Sequence, residues 1–209
     1  MATETIAAIA TPIGNGGIGV IRISGSGSEP IASELTNRPE DSPFKPRYAH
    51  LAHILDKDGL TLDEALVLYM PGPESYTGED VIEVSCHGSP VVLRQVLDRI
   101  LAMGARPALA GEFTLRAFLN GRIDLAQAEA VADLVAAPTP ESVAVAANQL
   151  AGRLSEAVHD MRTACVDLLA QMEAEIDFDE DDVPAMDLSL IHISEPTRRT
   201  PISYAVFCL

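Results

Sequence analysis

No run of roughly 18 apolar residues, the length a membrane-spanning helix needs, occurs in this 209-residue sequence. No membrane association is therefore expected. The opening residues, MATETIAAIATPIG, lack the basic segment of a secretory leader and carry only a short apolar run. They read as a strand. Cysteine is scarce: Cys86, Cys165 and Cys208 are odd in number, widely spaced and form no CxxC pair. That argues against a zinc site or a disulfide framework and fits a reducing, cytoplasmic compartment. Positive charge is short too. Lys and Arg total 14 against 31 Asp and Glu, for a formal net charge of −17. So acidic a surface repels phosphate backbones, and the chain is not expected to grip nucleic acid by itself. There is no internal repeat, and no GxxxxGK[ST] segment for nucleotide hydrolysis.

Hydrophobic residues make up 47% of the chain, enough to bury a core. Short β-branched runs predict strands at Ile6 to Ala10, Ile18 to Ser24, Tyr48 to Leu55, Ala65 to Met70 and Val81 to Cys86. A loop is expected at Gly14-Asn15-Gly16-Gly17, a short helix over Ser26 to Leu35, and a turn at Asp56-Lys57-Asp58-Gly59. Ser89 and Pro90 mark the cap and first residue of a helix whose apolar face is Val92, Leu93, Val96, Leu97, Ile100 and Leu101, with Gly104 ending it. From about residue 111 the pattern turns helical. Leu125 to Ala137 is amphipathic, and Pro138 breaks it. Thr139 and Pro140 begin what reads as one long helix, striped by Leu150, Leu154, Val158, Met161, Cys165, Leu168 and Met172. Such a stripe calls for partner helices. The acidic run DFDEDD at 177–182 reads as a solvated helix end, not a cation site, because it lacks EF-hand spacing.

Several motifs invite a function. GNGGIG at 14–19 matches GxGxxG, but a dinucleotide site needs that loop to open a helix. Here Val20, Ile21, Arg22, Ile23 and Ser24 follow and predict a strand. Arg22, flanked by Ile21 and Ile23, should face away from both. It serves either a salt bridge or the anchoring of a ligand carboxylate. Glu83, within Val81 to Val84, mirrors it. A carboxylate there needs a partner: Arg22, another base, or a ligand with a donor edge such as an aminopterin ring. Cys86 and His87, adjacent on a strand, should point to opposite faces and so do not pair for catalysis. Arg116 reads as structural. Arg122, just past Gly121 at a domain junction, is better placed to meet a ligand.

Four blocks carry a resemblance: ATPIGNGGIGVIRISG, YMPGPESYTGEDVIEVSCHGSP, GEFTLRAFLNGRIDLAQAEAVADL and EAEIDFDEDDVP. In that order, from about Thr5 to Pro184, they resemble the N-terminal part of the tRNA modification GTPase family (MnmE, also TrmE). The resemblance implies an α+β domain with a mixed β-sheet and packed helices, similar to folate-dependent aminomethyltransferases, followed by the first helices of an all-α domain. It implies binding of 5-formyl- or 5,10-methylene-tetrahydrofolate and homodimerisation through the N-terminal domain. It also implies a flavin-dependent MnmG-type partner, with which the parent enzyme modifies C5 of the wobble uridine of tRNA. The folate contacts carried over are Arg22, Glu83 and Arg122. No catalytic or metal-binding residue is carried over. GTP, Mg²⁺ and K⁺ belong to a GTPase domain outside these 209 residues, so this chain is not expected to hydrolyse GTP. A stand-alone folate-dependent aminomethyl transferase is the alternative. The expected organisation is a folate-binding and dimerising domain over 1–120 and the start of a helical domain over 121–187. The segment 188–209 resembles a translated sequencing-adapter read-through, which would place the cut in the native sequence near Asp187.

Overall fold

The computed structural model describes residues 4–39 and 41–177. The acidic residues from 178 on and the 188–209 segment lie outside them. The chain divides into two compact units, Met1–Leu154 and Ser155–Leu209.

Among the described residues there are six strands and six helices. The strands are β1 (Ile6–Ile9), β2 (Gly16–Ser24), β3 (Ala49–Leu55), β4 (Thr61–Met70), β5 (Val81–Gly88) and β6 (Arg106–Pro107). They form one mixed sheet in the order β3-β4-β5-β2-β1-β6. Only β1 and β6 run parallel; the other pairs are antiparallel. The β3–β4 hairpin closes where expected. Asp56 Oδ1 accepts the backbone N–H of Asp58 and of Leu60, both at 2.8 Å, and Gly59 sits at φ +79°. An Asx-type turn of this kind is what an Asp two residues ahead of the bend supplies. β4 starts at Thr61, four residues before the β-branched run suggests, because pairing with β3 extends it to the turn.

The first helices are α1 (Ser28–Leu35) and α2 (Pro90–Ala102). Ile31 and Leu35 of α1 and Leu93, Val96 and Ile100 of α2 bury against Ile21, Ile23, Ile82 and Val84 of the central strands. Each such side chain contributes about 1.5–3 kcal/mol on leaving water. Ile21 and Ile23 are fully buried, so alternation turns Arg22 to the other face. Ser89 stands at the N-cap of α2 with Pro90 first, but its hydroxyl makes no capping bond.

Helices α3 (Glu112–Leu119), α4 (Leu125–Ala136), α5 (Pro140–Leu150) and α6 (Arg153–Asp177) follow. Asp124 and Gln127 form a capping box on α4, and Thr139 with Ser142 one on α5. The single long helix expected from Pro140 onward is instead two. Gly152 adopts φ +86°, a left-handed conformation that ends the helix. Gln127 Nε2 donates to the Leu150 carbonyl at 2.9 Å, and Gln149 Nε2 to the Ala126 carbonyl at 3.0 Å. These two bonds tie α5 back onto α4. On α6 the stripe residues Leu154, Val158, Met161 and Met172 are exposed.

Candidate functional site

The face opposite α1 and α2 holds the site. Arg22 on β2 and Glu83 on β5 are direct cross-strand partners, so their side chains rise from the same face. Arg22 Nε reaches Glu83 Oε1 at 2.8 Å, and its Nη2 reaches the same oxygen at 2.7 Å. Both bonds land on Oε1, which leaves Glu83 Oε2 and Arg22 Nη1 able to meet a further group. The side chains remain 26% and 24% exposed, so the pair is accessible from solvent. Two aromatic rings flank the guanidinium: its carbon lies 5.0 Å from the Tyr76 ring centroid and 5.6 Å from that of Phe113. Cation–π contacts at such distances hold the guanidinium plane in place.

Tyr76 belongs to the irregular connection between β4 and β5, residues 71–80. A polar network fixes that loop. Tyr76 Oη meets Thr114 Oγ1 at 2.9 Å, and Asn120 Nδ2 donates to the Thr77 carbonyl at 2.7 Å. Ser24 Oγ donates to Glu79 Oε2 at 2.8 Å and lies 2.7 Å from Thr77 Oγ1. Arg116 is buried beneath. It donates to Glu79 Oε2 at 2.9 Å, to Glu112 Oε1 at 3.0 Å and to the Glu4 carbonyl at 2.8 Å, which bears out its structural reading. Glu112 also takes Arg106 at 2.6 and 2.8 Å. The Arg106 hydrogen bonds, followed by those from the Leu109 N–H and Arg116, outweigh burial and lower the Glu112 carboxyl to about 2.

Arg122 does not join the Arg22–Glu83 pair directly. Its Nε donates to the Ser75 carbonyl at 3.0 Å, one residue before Tyr76. The exposed Arg122 thus meets the same loop that carries an aromatic ring to Arg22. The structure brings two of the three candidate residues into contact and connects the third through residues 75–76. Sequence reasoning missed Tyr76 and Phe113. Tyr76 lies in a stretch with no period to read, and Phe113 looks like one more apolar helix residue. A lone arginine in an apolar strand is the signal that flanking aromatics should be sought.

The other motifs resolve simply. Gly16 to Ser24 is β2, so no helix follows GNGGIG and the dinucleotide reading fails on its missing context. Cys86 is buried in the core, and burial pushes its thiol up to about 12. His87 is exposed, with Nδ1 on Asp63 Oδ1 at 2.6 Å. The two neighbours therefore face apart as strand alternation requires. Among the described residues no group of three or more His, Cys, Asp and Glu could hold a metal ion, and no helix is long and apolar enough to cross a membrane.

A mixed sheet with an accessible ion pair between aromatic rings, followed by capped helices, defines an α+β domain leading into a helical region. Family comparison divides the chain in a similar way. The family described as GTP-binding protein TrmE N-terminus matches residues 5–122, and the MnmE helical domain matches residues 125–198. The chain belongs to the tRNA modification GTPase MnmE (TrmE) family. It is 52% identical over 184 residues to the tRNA modification GTPase MnmE of Azoarcus sp. strain BH72, covering 88% of this chain and 40% of that protein. With the tRNA modification GTPase MnmE of Methylococcus capsulatus strain Bath it shares 47% over 184 residues, 88% of this chain and 40% of that protein. The corresponding protein of Roseiflexus sp. strain RS-1 is 45% identical over 206 residues, 99% of this chain and 42% of that protein. The chain thus spans about two fifths of the length of these curated relatives.

Proposed function

We propose that this chain is the tetrahydrofolate-binding and dimerising portion of a cytoplasmic GTPase that acts with a flavin-dependent MnmG-type partner. Together they modify C5 of the wobble uridine of tRNA. The observation that carries the reading is the Arg22–Glu83 pair. A pterin presents a donor edge of adjacent N–H groups, and Glu83 Oε2 is an acceptor left free by the one-oxygen contact with Arg22. Tyr76 and Phe113 supply aromatic surface beside it. The residues present therefore fit a reduced folate similar to that of the aminomethyltransferases. Glu83 would take the pterin donor edge, and Arg22 and Arg122 its carbonyl or anionic groups. The bound 5-formyl- or 5,10-methylene-tetrahydrofolate would supply the one-carbon unit. This chain's own residues bind and orient it, and the polar network under residues 75–79 keeps the aromatic wall in place.

GTP turnover, with its Mg²⁺ and K⁺, is assigned to the GTPase domain of the longer relatives. The 209 residues here contain no GxxxxGK[ST] segment. Calorimetric titration with 5-formyltetrahydrofolate tests the reading. Glu83→Ala and Arg22→Ala should each weaken binding by at least about tenfold, a loss of ~1.4 kcal/mol, and Arg122→Ala by less. Unchanged affinity in both Glu83→Ala and Arg22→Ala would remove the folate assignment.

A further inference from the structure

The sheet face that bears Arg22 and Glu83 continues toward a second polar group. Along β5, Glu83, Ser85 and His87 alternate onto that face, and their β2 partners are Arg22, Val20 and Ile18. Four residues at a strand rise of about 3.3 Å place His87 roughly 13 Å from Glu83. Between the two ends Ser85 lies among apolar neighbours. Val20 is half-buried, Leu66 pairs with Ser85 and is 46% exposed, and Ile18 is 69% exposed beside His87. The order along the face is aromatic rings, ion pair, apolar floor, imidazole.

His87 is held in one orientation. Its Nδ1 donates to Asp63 Oδ1 at 2.6 Å, and its backbone N–H donates to Asp63 Oδ2 at 2.8 Å. The Glu64 backbone N–H adds a third bond at 2.9 Å. Burial alone would raise the Asp63 carboxyl, but these bonds outweigh it and leave the pKa lowered, so the group stays ionised. With Nδ1 committed, Nε2 is the nitrogen presented to solvent. In its protonated form an imidazole oriented in this way directs its Nε2–H outward, the donor an anion needs. The glycine segment alongside is open: a side chain at Gly14 or Gly17 would meet nothing within 4 Å.

We propose that His87, positioned by Asp63, is the anchor for the carboxylate-bearing tail of the same ligand whose ring end meets Glu83. The proposal rests on the folate reading and adds to it a direction and a second contact. A pteridine joined through an aminobenzoyl ring to glutamate is long enough for this span. Its aryl part suits the Val20, Leu66 and Ile18 floor, and its anionic end suits His87. Arg22 and Arg122 then serve the carbonyl groups at the ring end.

Two ligands and three variants of the full chain separate the possibilities by calorimetry. The ligands are 5-formyltetrahydrofolate and 6-methyltetrahydropterin, which has the ring and no tail. His87→Ala should weaken the tailed ligand about tenfold and leave the tail-less one unchanged. Asp63→Asn should do the same to a smaller degree, with circular dichroism confirming the fold. Equal losses for both ligands in His87→Ala, or no loss for either, would overturn the proposal. So would a tail-selective loss found in Arg122→Ala instead. A wild-type chain that binds both ligands while His87→Ala is silent removes this inference alone. A wild-type chain that binds neither removes the folate reading and this inference with it.

Discussion

Arg22 and Glu83 sit in a strand pair where most neighbours are apolar, and each would be costly there without the other. Their contact is also asymmetric, both bonds going to Glu83 Oε1, and this asymmetry is what the binding role proposed above rests on. The heavier structural burden falls on Glu112. It accepts from Arg106, Arg116 and the Leu109 N–H, and its carboxyl is lowered from an ordinary value of 4.5 to about 2. A depressed carboxyl contributes stability that is complete above its unfolded value and is lost as pH falls toward the folded one. The wild-type urea midpoint should therefore drop between about pH 4.5 and pH 2, the two values that bracket Glu112. Glu112→Gln should lose about 1.5–3 kcal/mol at pH 7 through its lost charge-assisted hydrogen bonds, while Arg116 keeps its ion pair with Glu79. The substitution should also flatten the acid dependence in that window. Urea titrations of both proteins at pH 7, 4 and 3 check this. A Glu112→Gln profile parallel to wild type across the window would assign the acid dependence to other carboxylates. At this scale the sequence was readable only where a residue contradicts its surroundings. Arg22 and Glu83 stand out against isoleucine and valine. Asp63 does not, since nothing in TLDEAL shows that its carboxylate reaches His87, 24 positions later.

At the scale of elements, local patterns carried the strands and α2, because alternation and caps act over a few residues. Ile21, Ile23, Ile82 and Val84 lie buried on one face as period-two reading requires. β6 escaped notice because two residues make no pattern, and it exists only through parallel pairing with β1. The break between α5 and α6 was missed because the apolar stripe runs through it unchanged. Gly152 is visible in the sequence, but an isolated glycine often sits inside a helix. What decides the matter is Gln127, 23 positions away from the carbonyl it meets at Leu150. The same side chain accepts the Asp124 backbone N–H at 3.0 Å and so serves two helices. Gln127→Ala should cost about 1–2 kcal/mol and raise amide exchange at both the start of α4 and the end of α5. Hydrogen-exchange mass spectrometry over 124–152 measures it. Exchange raised at α4 alone would show that the bond to Leu150 does not hold the second helix.

The whole molecule is dominated by its charge. A net −17 over 209 residues gives every approaching phosphate or second copy a repulsive field. The proposed function sets two partners against that field, and salt affects them differently. For tRNA, contacts through Lys and Arg would weaken as counterions rise, yet only 14 such residues exist. Fluorescence anisotropy with labelled tRNA should show affinity of the chain alone weaker than about 100 µM at physiological salt. Binding near 1 µM would mean that a local basic surface overrides the net charge. For a second copy, the two acidic chains repel, and that repulsion is screened over about 10 Å at 0.1 M salt and ~3 Å at 1 M. The contacts that hold a homodimer together would have to be largely apolar, and those do not weaken with added chloride. Raising the salt should then increase the dimer fraction in sedimentation velocity at fixed protein concentration. A dimer that dissociates as salt rises would instead be held by ion pairs across its interface, which a chain this acidic can supply only where its few arginines and lysines cluster.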